Sequence, residues 1–177
     1  EGLVFADVSV GGILRELKLI HVGDGGEVAI CTRSHTASST EQLSFLETSP
    51  DQWRRAMDAS LTTAVLVTQA FLPAMVRRRQ GRVIMMSSVT GHLVSNPRES
   101  AYSAAKSALV GLTHALALEV AAQGVTVNAV APGWIATEAA TPEEQRAARA
   151  TPPRRAGRPD EVAACVAFLA SAIAIAM

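Results

Sequence analysis

Apolar and polar positions recur along the chain with two periods, one typical of strands and one typical of helices. Short apolar runs predict buried strands at Leu3–Ala6, Val28–Cys31, Arg82–Met86 and Val125–Val130. Apolar residues at helical spacing predict helices at 13–22, 49–78 and 101–122, with two more helices starting near Thr141 and Pro159. Because strands alternate with helices, we expect an α/β fold with a doubly wound parallel sheet and right-handed crossovers.

Capping and turn residues mark the breaks between these elements. Ser49 and Gln52 form a capping box at the start of the long helix, and Gly81 is predicted to end it. The cluster Gly23–Gly26 lacks the spacing of a phosphate-binding loop and follows a predicted helix, so we predict a turn there. Residues 89–100 are rich in helix breakers and are predicted to form a loop.

Composition limits the classes of partner. With 49% hydrophobic and 18% charged residues, the 177-residue chain is typical of one folded domain, predicted here over 1–177. Its formal net charge is zero, which argues against nucleic acid or an anionic membrane as a partner. The uncharged stretch 162–177 is shorter than the ~20 residues of a membrane span, so we predict a buried helix. Two distant cysteines, Cys31 and Cys165, predict no metal site and a reduced, cytoplasmic protein.

The hexapeptide AYSAAK, residues 101–106, contains the chain's only tyrosine and one of its two lysines. On a helix, Tyr102 and Lys106 lie four residues apart on one face, with small residues between them. An ammonium beside a phenol lowers the pKa of the phenol, which can then exchange a proton near neutral pH. Ser88 follows the preceding strand and can position a carbonyl or alcohol oxygen. The same spacing is also common on helices without catalytic function, so the pattern alone leaves both interpretations open.

Sequence segments on both sides of this hexapeptide resemble the short-chain dehydrogenase/reductase family. They extend from about Phe45 to Ser171 and include FLETSPDQW, GRVIMMSSVTG, AYSAAKSALVGLTHALALEV, GVTVNAVAPGWIATE and GRPDEVAACVAFLAS. The segments occur in the order of the family and cover most of the chain. The resemblance implies a Rossmann-like fold and hydride transfer between NAD or NADP and a carbonyl/alcohol pair. The choice between NAD and NADP and the identity of the substrate are left open by the sequence.

The resemblance implies roles for individual residues. Tyr102 resembles the general acid/base of the family, and Lys106 resembles the lysine that lowers the pKa of that tyrosine and binds the nicotinamide ribose. Ser88 resembles the serine that orients the substrate. The loop that contacts the nicotinamide end of the cofactor is matched by Pro132, Gly133, Ile135 and Thr137.

Two further parts of the chain match the family outside this centre. Asp7, in an Asp-Val pair after the first predicted strand, resembles a residue that contacts adenine. The helices at 49–78 and 101–122 resemble those that pack across the dimer interface of the family. The resemblance therefore implies a homo-oligomer or a hetero-oligomer.

Three departures from the family pattern are visible. No counterpart of the glycine-rich turn at the start of the family's domain is present, and 172–177 gives no clear copy of its last strand, so we expect a domain truncated at both ends. The run Cys31–Ser34 stands where the family has Asn-Asn-Ala-Gly. Ser60 stands where the family has an asparagine that holds a water of the proton relay, which makes Ser60 a further candidate catalytic residue.

These observations support two hypotheses about function. The first is an NAD(P)-dependent ketoreductase or alcohol dehydrogenase, which rests on the presence of Ser88, Tyr102 and Lys106. The second is a non-catalytic subunit that pairs with a complete relative, which rests on the three departures.

Overall fold

The computed structural model describes residues 4–7, 17–22, 27–32, 43–138, 140–171 and 174. Its strands form one sheet of five in sequence order: β1 (Val4–Asp7), β2 (Leu17–Val22), β3 (Glu27–Thr32), β4 (Gly81–Met86) and β5 (Val125–Val130). Strands β3, β4 and β5 pair in parallel, whereas β2 is antiparallel to both of its neighbours. The α/β fold is confirmed, with a parallel arrangement from β3 onward.

The helix predicted at 13–22 is wrong in its described part, because Leu17–Val22 is strand β2. This strand pairs with β1 on one side and with β3 on the other, where the register runs from Leu17 opposite Thr32 to Val22 opposite Glu27. Pairing on both edges satisfies the backbone groups of the strand and outweighs the helical spacing of its apolar residues. The connections on either side of β2 therefore join antiparallel strands. The turn predicted at Gly23–Gly26 lies outside the described residues.

The long helix predicted from Ser49 is present, with an interruption that the sequence did not indicate. Helix α1 (Pro50–Met57) passes through a π-helical turn at Asp58–Thr62 into helix α2 (Thr63–Arg78). The predicted capping box is formed, since Gln52 donates its backbone N–H to the Ser49 hydroxyl at 3.2 Å. Helix α2 ends at Arg78 and is capped by Arg79, whose φ of 54° is left-handed, whereas the predicted breaker Gly81 is the first residue of β4.

The carboxyl half of the chain contains the remaining helices. They are a short turn α3 (Val89–His92), the long α4 (Ser100–Val120), α5 (Pro142–Arg149) and α6 (Pro159–Ala170). A 3-10 turn at Ala121–Gln123 extends α4 to Gly124, as predicted. Gly124 has a φ of 72°, and an added Cβ would lie 2.3 Å from the carbonyl oxygen of Arg79. Glycine is therefore required at this turn.

The core lies on both faces of the parallel strands. On one face, α2 and α4 pack on alternate residues of β4, with Val67, Met75, Val83, Met85 and Leu109 at its centre. On the other face, α6 packs on Ile84 through Val166 and Ala170. Because successive residues of β4 face opposite sides of the sheet, α4, which carries Tyr102 and Lys106, lies on the side of Val83 and Met85.

Two helical segments, Pro50–Arg78 and Ser100–Gln123, are long and apolar enough by length and composition to cross a membrane. In this fold one face of each segment contributes to the core beside the sheet, through Val67 and Leu109 among others. The opposite faces also carry apolar side chains, including Leu66 and Leu118, which are 36% and 86% exposed.

Candidate active site

Tyr102 and Lys106 lie on one face of α4 near its amino end. The Nζ atom of Lys106 is 5.6 Å from the centroid of the Tyr102 ring. Tyr102 is half-buried, whereas Lys106 is only 1% exposed. The ammonium of Lys106 therefore faces the aromatic ring of Tyr102 from the adjacent turn of the same helix. The geometric relation expected from the spacing is therefore formed.

Lys106 is held by the end of strand β4. Its ammonium donates a hydrogen bond to the carbonyl oxygen of Met86 at 2.8 Å, and its own carbonyl accepts one from the Ser87 hydroxyl at 2.8 Å. Burial lowers the pKa of Lys106 from its usual 10.5 to about 7, because the charged form loses its hydration. An ammonium has three protons to donate, so the bond to Met86 leaves donors for a ligand hydroxyl.

Ser88 follows Met86 and Ser87 at the carboxyl end of β4, and its backbone is extended. Its hydroxyl accepts a hydrogen bond from the backbone N–H of Thr90 at 3.1 Å. A serine hydroxyl has one proton and two lone pairs, so accepting the bond from Thr90 directs the proton toward another acceptor. Ser88 is thus arranged to donate to a carbonyl or alcohol oxygen.

The loop after Ser88 is seated directly on α4 beside Tyr102. Gly91 has a φ of 95°, and an added Cβ would lie 2.2 Å from the carbonyl oxygen of Ser103. The hydroxyls of Ser95 and Ser103 are hydrogen-bonded at 2.8 Å. These contacts fix the loop that joins the strand end to the helix. The sequence indicated Gly91 only as a breaker; the close approach to α4 could not be read from it.

The four loop residues assigned to the nicotinamide end of a cofactor follow strand β5. Pro132 accepts a hydrogen bond from the N–H of Val89 at 3.1 Å, which places this loop next to Ser88. Gly133 is exposed, and an added Cβ would meet nothing within 4 Å. Ile135 forms an isolated parallel bridge with Gly157, and the exposed Thr137 lies two residues further on. The loops after β4 and β5 thus meet at the same edge of the sheet, as expected.

The remaining two predicted residues lie further from this centre. Ser60 is buried within the π-helical turn, which contacts α4. Asp7 ends the edge strand β1, and the register places it level with Lys18 of β2 and Cys31 of β3. Asp7 therefore lies at the same end of the strands as Ser88, but β2 and β3 separate its strand, β1, from β4. The run Arg33–Ser34 lies outside the described residues.

Ser87 is the residue that sequence reasoning did not single out. Val83 and Met85 face the core beside α2 and α4, and the alternation of β4 continued to Ser87 puts that residue on the same side, where its hydroxyl donates to the Lys106 carbonyl. That alternation was the available signal. The π-helical turn at Ser60 had no comparable signal, although such turns are frequent at functional sites.

The described residues fit the nicotinamide and ribose end of a dinucleotide. Lys106 offers ammonium donors, Tyr102 offers a phenol, and the loop that joins the end of β4 through Val89 and Pro132 has open space at Gly133. Among the residues that the structure describes, no group of three or more His, Cys, Asp or Glu side chains could hold a metal ion.

Comparison with known proteins identifies the family and the fold of this chain. A family model described as enoyl-(acyl carrier protein) reductase matches residues 21–177. The chain belongs to the short-chain dehydrogenase/reductase family. It is 43% identical over 140 residues to the oxidoreductase UcpA of Escherichia coli K12, an alignment that covers 72% of this chain and 53% of that protein. The chain thus spans about half the length of the curated relatives that it matches first.

Solved structures show the same relationship. An oxidoreductase of the short-chain dehydrogenase/reductase family from Burkholderia thailandensis superposes with a TM-score of 0.75 at 29% identity, covering 84% of this chain and 59% of that one. A 4-hydroxyisoleucine dehydrogenase complexed with NADH superposes with a TM-score of 0.72 at 25% identity, covering 84% and 63%. These similarities confirm the Rossmann-like α/β fold that the resemblance implied.

Proposed function

We propose that this protein is an NAD(P)-dependent oxidoreductase that interconverts a carbonyl and a secondary alcohol. The observation that carries the proposal is the placement of Lys106 Nζ 5.6 Å from the ring centroid of Tyr102, at the strand end that also bears Ser88. Membership of the family and the similarity to an NADH-bound dehydrogenase support a nicotinamide cofactor. Either NAD or NADP is compatible with the described residues.

The proposed mechanism divides the chemistry between four side chains. Ser88 donates its hydroxyl proton in a hydrogen bond to the carbonyl oxygen and fixes its position. Tyr102 gives its phenolic proton to that oxygen during reduction and takes it back during oxidation, while the Lys106 ammonium stabilises the phenolate. A nicotinamide held by Lys106 and the loop at Gly133 would supply hydride to the carbonyl carbon in reduction and would accept it from the alcohol carbon in oxidation. Ser60, on the turn that packs against α4, is the candidate for relaying a proton through water.

We propose a substrate with an aliphatic substituent. Leu93 and Val94, in the loop that is seated on α4, are 70% and 57% exposed. Covering such exposed apolar side chains with an apolar group of a ligand removes their surface from water, which lowers the free energy. The loop that carries them also contacts Ser103, the residue after Tyr102, so a substituent bound there lies beside the acid/base.

For assembly, we propose that the outer face of α4 packs against a second copy of the chain. Gly111, Ala115 and Leu118 lie on one exposed helical stripe, and Leu118 is 86% exposed. A Cβ at Gly111 would meet nothing within 4 Å, so the fold itself gives no reason for a glycine in the middle of this helix. Close approach of another helix would provide one.

The alternative is a non-catalytic subunit that pairs with a complete relative. The substitution of serine at position 60 and the run Cys31–Ser34 favour it, because both replace residues that the family uses near its cofactor and proton relay. Under this alternative Tyr102 and Lys106 keep their geometry but take part in no reaction. A reduced, cytoplasmic location stays a prediction that rests on the two distant cysteines.

Binding of NADH and NADPH to the purified full-length protein separates the two hypotheses. The chain has two tryptophans, Trp134 in the loop after β5 and Trp53 on α1. Bound dinucleotide is expected to quench Trp134, so quenching should disappear in Trp134→Phe and persist in Trp53→Phe. Saturable binding together with turnover of small aliphatic ketones supports the enzyme. No binding of either dinucleotide would reject it in favour of the subunit.

A further inference from the structure

We propose that Ser87 is a positioning residue that sets the place of Lys106 relative to Ser88 and Tyr102. The inference rests on the proposed function, in which Lys106 acts on the phenolate. Ser87 itself touches neither substrate nor cofactor in this account, and it acts only through Lys106.

The geometry is a two-point attachment of one lysine to one strand end. The Ser87 hydroxyl donates to the carbonyl oxygen of Lys106 at 2.8 Å, in a site where Ser87 is 3% exposed. The preceding residue, Met86, accepts a hydrogen bond from the Lys106 ammonium at 2.8 Å. Met86 and Ser87, the last residue of β4 and the one after it, therefore hold the charged end and the backbone of the same lysine.

The strand end is itself fixed. The N–H of Ser87 donates to the carbonyl oxygen of Val130 at 2.8 Å, which ties it to the neighbouring strand β5. Ser88 is the next residue, so the same short segment determines where the substrate-orienting hydroxyl and the lysine lie. Proton transfer and charge stabilisation depend steeply on such distances, because a displacement of about 1 Å can cost roughly 10²-fold in rate.

Simple packing of α4 on the sheet does not require this bond. The helix already packs on β4 and β5 through apolar residues such as Leu109, within the same core as Val83 and Val127. The Ser87 bond adds an oriented polar contact at the level of Lys106 itself. Its loss is expected to move the lysine more than the helix as a whole.

The experiment compares Ser87→Ala with a matched control on the same helix. Thr113 also donates a buried hydroxyl to a carbonyl oxygen of α4, that of Leu109, at 2.8 Å. Thr113→Val removes that bond at a place distant from the chemistry. Ser87→Thr retains a hydroxyl and serves as the rescue variant. If Ser87→Ala does not fold, Ser87→Cys, which fills the same space with a weak donor, takes its place.

Two readouts are measured on the full-length protein. The first is the separation of kcat from KM in carbonyl reduction; Ser87→Ala is expected to lower kcat roughly 10-fold or more with little change in KM, since the effect is on the reacting geometry. The second is the NMR signal of the Lys106 ε-carbon, in a chain with two lysines, recorded against pH without cofactor. Its midpoint is expected near 7 in the wild type and higher in Ser87→Ala, as water reaches the ammonium.

The proposal is supported when Ser87→Ala changes both readouts, Ser87→Thr restores them and Thr113→Val leaves them as in the wild type. It is overturned when Ser87→Ala and Thr113→Val behave alike, or when the Lys106 signal of Ser87→Ala is unchanged. The NMR readout needs no turnover. A wild type that reduces no carbonyl would thus reject the proposed function while the Lys106 signal still decides the positioning role.

Discussion

The ammonium of Lys106 lies 5.6 Å from the centroid of the Tyr102 ring and donates a hydrogen bond to the carbonyl oxygen of Met86 at 2.8 Å. One lysine therefore links the helix that carries the phenol to the strand that ends in Ser88. This linkage brings the proton-handling groups to one place in the fold.

The buried charge of Lys106 should make stability depend on pH. Burial lowers its pKa to about 7 in the folded chain, whereas the unfolded chain keeps about 10.5. Between pH 7 and 10.5 the unfolded chain binds more protons than the folded chain, so the free energy of unfolding rises with pH, by up to a few kcal/mol in total. Below about pH 7 Lys106 is charged in both states, and the full cost of burying that charge is present. Lys106→Met should lack this rise. Urea denaturation of both proteins from pH 6 to 10 measures the difference, and parallel curves would contradict the assignment.

Gly91→Ala should destabilise the chain. The residue has a φ of 95°, and the new Cβ would lie 2.2 Å from the backbone oxygen of Ser103. We expect a loss of about 2 kcal/mol or more, together with reduced turnover, because the loop beside Tyr102 must move. Thermal and urea denaturation report the stability; an unchanged midpoint would mean that the loop is not held as described.

Gly133→Ala is the counterpart of Gly91→Ala and tests ligand binding instead of stability. A Cβ at this position meets nothing within 4 Å, so the free energy of unfolding should change by less than about 0.5 kcal/mol. If the open space holds the nicotinamide end of the cofactor, the dissociation constant for NADH or NADPH should rise roughly 10-fold. Fluorescence titration measures it, and unaltered affinity would place the cofactor elsewhere.

Substitutions at Gly111 test the proposed packing of α4 against a second copy. Gly111→Leu should dissociate the assembly, while Gly111→Ala should add about 1 kcal/mol of helix stability to the separated chain. Ala164→Leu, on the exposed side of α6, is the control that adds a leucine outside this face. Sedimentation velocity gives the mass of each. A wild type that sediments as a single chain at micromolar concentration would contradict the proposal.

The predictability of this protein from sequence differs along the chain. From Ser49 onward, the capping residues, helix breakers and apolar periods of the sequence predict the same elements. The structure contains the predicted strand Val125–Val130 and the predicted capping box at Ser49. The helix predicted at 13–22 failed because strand pairing is a long-range interaction that a local period does not record. The relation of Tyr102 to Lys106 was predictable since helical spacing fixes it, whereas the attachment of Lys106 to Met86 depends on how α4 meets β4.

The central claim is that Tyr102 exchanges a proton with the substrate oxygen. Its most direct test is kcat for reduction of an aliphatic ketone at saturating dinucleotide, measured for the wild type and for Tyr102→Phe, which keeps the ring and removes only the hydroxyl. The account predicts a fall in kcat of at least ~10²-fold, with the dinucleotide dissociation constant and the melting temperature nearly unchanged. Equal turnover by the two proteins would contradict it.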